Sequence, residues 1–316
     1  MNTMNEVKVG FIGMGRMGRG MASNLAKGGA PLVVFDTNAE AVAALVALGA
    51  RAAESVADLA SQVDVAFTSL PGPPQVEEVV LGENGILANM KPGLTLFELS
   101  TNALSLNRRI YDAFKAKGGA MLDAPVSGGP AGAASGDLAL WIGGDKEVFE
   151  RHQSLLRLFA DKARYVGQIG AGTVAKLAHN MAGYMILQTM AEVFSVGVKA
   201  GVEPLDLWEA LRLGVVGKQS PLFMLTNQFL PGKFETPAFA LKLAHKDMGL
   251  GTGLAKELGV PMRLANMTLE EMTEALARGW GDQDSRAFLK LQTERAGVKI
   301  EVDSDSLNRA LAAARQ

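Results

Sequence analysis

Gly13-Met-Gly15-Arg-Met-Gly18 is the segment that most restricts how this chain folds. It follows the short β-branched apolar run Val7–Ile12 and leads into the helical stretch Met17–Lys27, which Gly28-Gly29 ends. A second apolar run, Leu32-Val-Val-Phe35, closes on Asp36, 23 residues past Gly13 (36 − 13). Strand, glycine loop, helix and a second strand ending in an acid are the parts of a dinucleotide-binding unit. The first glycine permits the tight turn, the second lets a pyrophosphate approach the backbone, and the third lets helix and strand pack closely. The helix start then offers free N–H groups and a positive dipole end to the phosphates. Asp36 can take both ribose hydroxyls of an adenosine and would repel a 2′-phosphate. Thr37 and Asn38 follow it rather than an arginine, so NAD is favoured over NADP. The competing reading of this corner is a helix N-cap for Ala39 onward, which Thr37 or Asn38 could serve equally well.

Beyond Asp36 the pattern repeats. Apolar runs near Arg51, at Val63–Ser69, Leu94–Leu99, Met121–Asp123, Leu138–Ile142 and Arg164–Val166 alternate with helical stretches at Ala39–Leu48, Val56–Ser61, Leu106–Lys117 and Lys146–Phe159. The fourth run breaks at Pro71-Gly-Pro-Pro74, and Pro125–Gly136 opens as a loop. This alternation predicts a parallel sheet covered on both faces. After Gly172 the text turns helical to about residue 292, and residues 301–316 read as a loose terminal helix. The expected architecture is an α/β Rossmann-type domain over residues 1–170 and an all-α substrate and oligomerisation domain over residues 171–316. A long interdomain helix from Thr173 joins them.

Composition narrows the function. A chain of 316 residues with 48% hydrophobic and 20% charged residues suits a globular protein of two domains. A net charge of −2 without a single-sign run gives no reason to expect nucleic acid. No cysteine is present, and the three histidines, His152, His179 and His245, form no spaced ligand set, so no metal is expected. The first residues lack the basic start and long apolar run of a signal peptide, which makes the cytoplasm the default address. The apolar stretch 181–198 carries Gln188 and Glu192 and reads as a buried helix rather than a membrane span.

Lys176 and Asn180 lie four apart in Gly170-Ala-Gly-Thr-Val-Ala-Lys-Leu-Ala-His-Asn180, which stacks an amine above a carboxamide on one helix face. A lone helix lysine is usually a solvated charge. Here it accompanies a phosphate-binding loop and the turn Ser127-Gly128-Gly129, whose hydroxyl and successive N–H groups suit an anion; without the lysine that turn would read as a glycine-rich surface loop. Together they describe a metal-free alcohol dehydrogenase with a proton-transferring lysine. A free lysine has a pKa of about 10.4, so it is a ready acid for carbonyl reduction. As a base it needs a lowered pKa or an alkaline medium.

With these residues in place the chain resembles the β-hydroxyacid dehydrogenase family, from about residue 7 to residue 292. The likeness rests on Gly10-Phe-Ile-Gly-Met-Gly-Arg-Met-Gly18 with Met21-Ala-x-Asn24-Leu25, on Asp123-Ala-Pro-Val-Ser-Gly-Gly-Pro-Ala-Gly-Ala133 with Gly136, on Gly170-x-Gly172 with Lys176 and Asn180, and on Lys246-Asp247. The resemblance implies a nicotinamide-dependent oxidoreductase acting on a small 3-hydroxy or 2-hydroxymethyl carboxylate or its semialdehyde, assembled as a homodimer or homotetramer. It implies that Lys176 and Asn180 are catalytic and that Ser127, Gly128 and Gly129 bind the substrate carboxylate. It sets Gly13, Met14, Gly15, Arg16, Met17, Gly18, Asp36, Leu70, Pro71, Gln75 and Thr101 against the cofactor, and Lys246 beside both cofactor and substrate. An ordinary exposed lysine is the plainer reading of Lys246.

The chain departs from the family pattern at His179, in place of a common Asn, at Glu98, in place of a common Asp, and at Asp137, in place of a common Thr. A phase of about 100° per residue from Asn180 is expected to turn His179 off the catalytic face, leaving it a packing or hydrogen-bonding neighbour rather than a second acid. His152 and His245 read as structural. Imine reductases share the fold but generally carry another residue at the lysine position. A cofactor-sensing protein would have lost the acid–base residue, and a chromatin-associated relative would need a basic or reader segment that is not seen.

Overall fold

The computed structural model describes residues 7–313; the leading and trailing residues considered above as a signal segment and as the end of a terminal helix, 1–6 and 314–316, lie outside them. The chain divides into two compact units, the first running to Ala182 and the second starting at Gly183.

The first unit opens with β1 (Val9–Ile12), α1 (Gly18–Lys27), β2 (Leu32–Phe35), α2 (Ala39–Val46), β3 (Arg51–Ala52) and α3 (Val56–Gln62). It continues through β4 (Val65–Thr68), α4 (Pro73–Leu81), α5 (Ile86–Asn89), β5 (Thr95–Glu98), α6 (Leu104–Ala116) and β6 (Ala120–Asp123). After β7 (Val126–Ser127) come α7 (Gly129–Ser135), β8 (Ala139–Gly143), α8 (Lys146–Leu156) and β9 (Lys162–Gly167). The strand order β3-β2-β1-β4-β5-β6 is parallel throughout, the doubly wound arrangement that binds ligands at the carboxyl ends of its strands.

The strands are apolar on both faces because helices cover both. Val9, Phe11, Val34, Phe67, Phe97 and Leu122 pack under α1, α2 and α8, whereas Ile12, Val33, Ala66, Leu96 and Met121 pack under α3, α4 and α6. Phe11, Phe67 and Phe97 are register partners on neighbouring strands. Their rings stack at centroid separations of 6.0 and 5.3 Å, which fixes the alignment of the three strand ends.

Two expectations need correction here. The sheet is mixed rather than parallel: β8 runs antiparallel to β6 and to β7, and β9 joins β8 in parallel. The seven-residue α7 reverses the chain between β7 and β8, so no crossover returns it in parallel. The prolines after β4 do more than end a strand. Pro73 and Pro74 occupy the first turn of α4, where a missing N–H costs nothing and the fixed φ suits the helix.

The helix α9 (Ala171–Lys199) is continuous across the division at Ala182. The second unit adds α10 (Pro204–Leu213), α11 (Val215–Lys218), α12 (Pro221–Met224), α13 (Leu241–Glu257), α14 (Arg263–Ala277), α15 (Leu289–Arg295) and α16 (Ser304–Ala313). Its core is small, built from Phe234, Leu241, Met272, Ala275, Ala287 and Leu291. The expectation that 181–198 is buried is wrong for this chain. The helix is long and apolar enough to cross a membrane by length and composition alone, and 6% of its most apolar window is buried. Within 181–198 the buried residue is the acid, Glu192. Its carboxylate accepts the N–H groups of Leu264 and Ala265 at 2.9 and 3.2 Å, serving the otherwise unpaired start of α14.

Candidate active site

The glycine loop shows why each glycine is needed. Gly13 has φ +91°, and a Cβ there would run into the Ser69 carbonyl. A Cβ at Gly18 would strike the Gly13 carbonyl, so helix and loop pack only if position 18 is bare. At Gly15 a Cβ would meet nothing within 4 Å, which leaves open space for a group approaching the backbone. The N-cap of α1, Met17, supplies no side-chain cap; the Arg19 amide turns back to the Gly15 carbonyl at 3.1 Å, and the positive end of the helix faces the loop.

Asp36 directly follows β2 and accepts the N–H groups of Met14 and Asn38 at 2.5 and 2.8 Å, tying the strand end to the glycine loop. The cap of α2 belongs to Asn38, whose side chain accepts from Glu40 and Ala41 at 3.0 and 3.3 Å. Asp36 is therefore not consumed as a cap. A cavity of about 520 Å³ is lined by Gly13, Gly15, Arg16, Met17, Gly18 and Asp36, with Leu70, Pro71 and Gln75 opposite. Open space over Gly15, an uncapped helix start and a carboxylate at the strand end all fit a dinucleotide.

A second cavity, of about 310 Å³, shares Met17, Ser69, Leu70 and Pro71 with the first. Its remaining wall includes Ser100, Thr101, Ser127, Gly128, Gly129, Lys176, His179 and Asn180. The predicted anion turn and the predicted catalytic pair thus meet in one space beside the cofactor cavity. Gly128 and Gly129 both have positive φ, +139° and +64°. A Cβ at Gly128 would lie 2.8 Å from the Leu138 side chain and 3.0 Å from the Asp137 carbonyl. Only glycines let the turn expose its amides in this shape.

Lys176 is aimed by a buried hydrogen-bond chain that sequence reading missed. Asp123, fully buried at the end of β6, accepts the N–H of Gly170 at 2.7 Å. Its other oxygen accepts the N–H and the hydroxyl of Thr173 at 2.5 and 2.7 Å. Asn107 on α6 donates to the Thr173 hydroxyl at 2.8 Å, and Asn102 donates to Asn107 at 2.6 Å. A Cβ at Gly172 would press on the carbonyls of Trp141 and Asp123, so the helix starts flush against the strand ends. Lys176 follows Thr173 by three residues and inherits that fixed origin. Burial lowers its pKa from the ordinary lysine value, the direction that favours proton acceptance. The signal that could have revealed this support was the acid closing β6 in the same motif as Ser127.

His179 is the packing and hydrogen-bonding neighbour expected of it, but it faces the cavity rather than away from it. It lines the same cavity as Lys176 and Asn180, its Nε2 lies 3.2 Å from Ser127 Oγ, and its ring packs on Trp141 at 5.1 Å. Measured from Lys176, residues three and four further on fall at about −60° and +40° of helix rotation. They straddle the lysine, so both reach the cavity.

Glu98 is a second support that the sequence showed only as a departure. It is fully buried at the end of β5, and its Oε1 accepts the Ser100 N–H at 2.9 Å and the Thr68 hydroxyl at 3.4 Å. Its Oε2 has no partner. Burial pushes its pKa up to about 8. Ser100 Oγ in turn accepts the Leu70 N–H at 2.9 Å, so Glu98 holds both Ser100 and the wall common to the two cavities.

The other singled-out residues have their own partners. Asp137 pairs on the surface with Lys162, which lowers its pKa. His152 donates to the Val148 carbonyl at 2.8 Å and packs edge-on to Phe97, and burial lowers its pKa. His245 and Lys246 belong to α13 in the second unit. His245 bonds Thr273 at 2.9 Å, and the exposed Lys246 pairs with Asp247 at 2.8 Å.

Known proteins resemble this chain along most of its length. Residues 8–167 match the family described as the NAD binding domain of 6-phosphogluconate dehydrogenase. Residues 170–292 match that described as NAD-binding of NADP-dependent 3-hydroxyisobutyrate dehydrogenase. The chain is 34% identical over 305 residues to 2-(hydroxymethyl)glutarate dehydrogenase of Eubacterium barkeri, spanning 93% of this chain and 98% of that protein. The crystal structure of 3-hydroxyisobutyrate dehydrogenase from Salmonella typhimurium is 30% identical with a TM-score of 0.60, over 90% of this chain and 100% of that one. An imine reductase from Myxococcus stipitatus superposes with a TM-score of 0.79 over 90% and 99% of the two chains at 17% identity, a likeness of fold alone. On its motifs, its fold and these relatives, the chain belongs to the β-hydroxyacid dehydrogenase family.

Proposed function

We propose that this protein is an NAD-dependent oxidoreductase interconverting a 3-hydroxy or 2-hydroxymethyl carboxylate and its semialdehyde. The carrying observation is the cavity that gathers Ser127, Gly128, Gly129, Lys176 and Asn180 against the shared wall of the glycine-loop cavity. The nicotinamide cofactor, when bound, accepts or supplies the hydride. Ser127 Oγ and the glycine amides hold the substrate carboxylate, which fixes the reacting carbon a set distance away. Lys176 Nζ takes the hydroxyl proton in oxidation and returns one to the carbonyl oxygen in reduction. Asn180, one turn further along the same helix, orients the lysine or the same oxygen. Lys246 is assigned to the cofactor and substrate on the family likeness.

Asp36 supports NAD over NADP, because it lines the cavity and Thr37 rather than a basic residue follows it in the chain. The exposed apolar side chains of the second unit support a homo-oligomer: Tyr184, Leu187 and Leu222 are 72%, 66% and 72% exposed. Assay of a panel of 3-hydroxy acids, their semialdehydes and cyclic imines with both cofactors tests the reading. Turnover of a hydroxy acid with NAD is expected. Turnover of imines alone would overturn it.

A further inference from the structure

Among the polar side chains that line the cavity, His179 touches the anion turn itself and yet has no part in proton transfer or anion binding as described. His179 Nε2 sits 3.2 Å from Ser127 Oγ, and Trp141 supports the ring from the side at 5.1 Å with the planes inclined by 47°. We infer that His179 is a positioning residue that sets specificity for an anionic substrate end by controlling where the Ser127 hydroxyl proton points. The inference rests on Ser127 being the carboxylate donor proposed above.

A serine hydroxyl has one proton to give. With Nε2 unprotonated, Ser127 donates to the imidazole and turns only lone pairs toward an incoming carboxylate. With Nε2 protonated, the imidazole donates to Oγ, and the Ser127 O–H is left for the substrate. A carboxylate therefore binds to the Nε2–H form and draws the pair into it. A neutral ester or amide of the same shape, a weaker acceptor, gains less from that arrangement. An imidazole can act this way because it is donor or acceptor at the same nitrogen. The helix supplies the reach: His179 projects beside Lys176 from a helix whose start is bolted to Asp123.

Two substitutions separate this role from packing. His179→Phe keeps a ring against Trp141 but has no nitrogen for Ser127. His179→Gln gives up the ring and keeps an N–H donor at similar reach. Steady-state KM and kcat for the best 3-hydroxy acid are measured for each, with NADH affinity by fluorescence as the check on folding. His179→Phe is expected to raise KM by up to about tenfold, the upper worth of the one neutral hydrogen bond that orients the Ser127 hydroxyl, with kcat and NADH affinity little changed. His179→Gln is expected to retain most of the wild-type KM. In a Ser127→Ala background, His179→Phe should add no more than about twofold, since the histidine acts through that hydroxyl.

A Phe variant with wild-type KM beside an impaired Gln variant would overturn the inference and make His179 a packing residue. So would a full tenfold effect of Phe on top of Ser127→Ala. The two levels are distinguishable. If the wild type turns over a 3-hydroxy acid and Lys176→Ala abolishes it while His179→Phe leaves KM alone, only the role of His179 falls. If no 3-hydroxy acid is turned over at all, both fall.

Discussion

Lys176 carries the sharpest expectation at the residue scale. Removing a positioned acid–base group costs about 10²–10⁴-fold, so Lys176→Ala should lower kcat by that order. NADH affinity, measured by fluorescence, should stay intact because the glycine loop and Asp36 are untouched. Lys176→Arg should not rescue turnover, since a guanidinium keeps its proton. Asn180→Ala should be milder. Because burial lowers the Lys176 pKa, oxidation should accelerate as pH rises, levelling off below the ordinary lysine value, and reduction should slow over the same range. A pH–rate profile of kcat in both directions checks the sign. Glu98 titrates in the opposite sense. Its folded pKa of about 8 stands above the ordinary 4.5, so the folded protein binds this proton more tightly than the unfolded chain. That stabilisation is fully present below about 4.5 and is lost as pH rises through about 8. Glu98→Gln, neutral throughout, should flatten the alkaline decline in stability, read as urea midpoints at pH 6 and pH 9. Parallel declines for the two proteins would show that Glu98 does not hold a proton. These residues differ in how legible they were. Lys176, Asn180 and Ser127 stand in contiguous motifs, whereas Glu98 acts through burial that its neighbours in sequence do not reveal. The facing of His179, though not its part as a neighbour, was misjudged because rotation was measured from Asn180 and not from the lysine at the centre of the face.

At the scale of elements, the start of α9 is the joint on which the site depends. Asp123 uses both carboxylate oxygens as acceptors, one for Gly170 and the other for Thr173. Asp123→Asn turns one of those acceptors into a donor facing an N–H. It should destabilise the fold by about 1–3 kcal/mol, the cost of a buried group left unpaired, and lower kcat by displacing Lys176. Chemical denaturation alongside kcat checks both; unchanged turnover would detach the lysine from this support. The glycine loop, β1, β2 and the helices on either side were legible because local pattern and packing agree there. Three helices, α4, α5 and α7, were not. The prolines that start α4 read as a break, and α7, made of small residues, carries no apolar period for a helix reading to catch. The antiparallel entry of β8 depends on that unread reversal.

For the whole molecule, the division of apolar surface between the two units decides the outcome. The first unit buries two large cores on either side of its sheet, while the second buries a small one and leaves α9 largely bare. Light scattering at micromolar concentration is expected to return a multiple of the 33.3 kDa chain mass. A stable monomer would leave the exposed face of α9 without an occupant. The sequence showed a helical second half but not which faces its own elements would leave open, since a period of apolar residues looks the same whichever chain covers it. The wall of Met17, Ser69, Leu70 and Pro71 common to both cavities has a practical meaning for anyone redesigning this protein. Asp36 and Thr37 line only the nucleotide cavity, and His179 only the other. Asp36→Ser with Thr37→Arg should therefore move kcat/KM from NAD toward NADP without altering the ranking of hydroxy acids. Changes at 179 should reorder the acids and leave the nucleotide choice alone. Libraries at the two ends can be recombined freely, whereas any library at Leu70 or Pro71 would have to be screened for both partners at once.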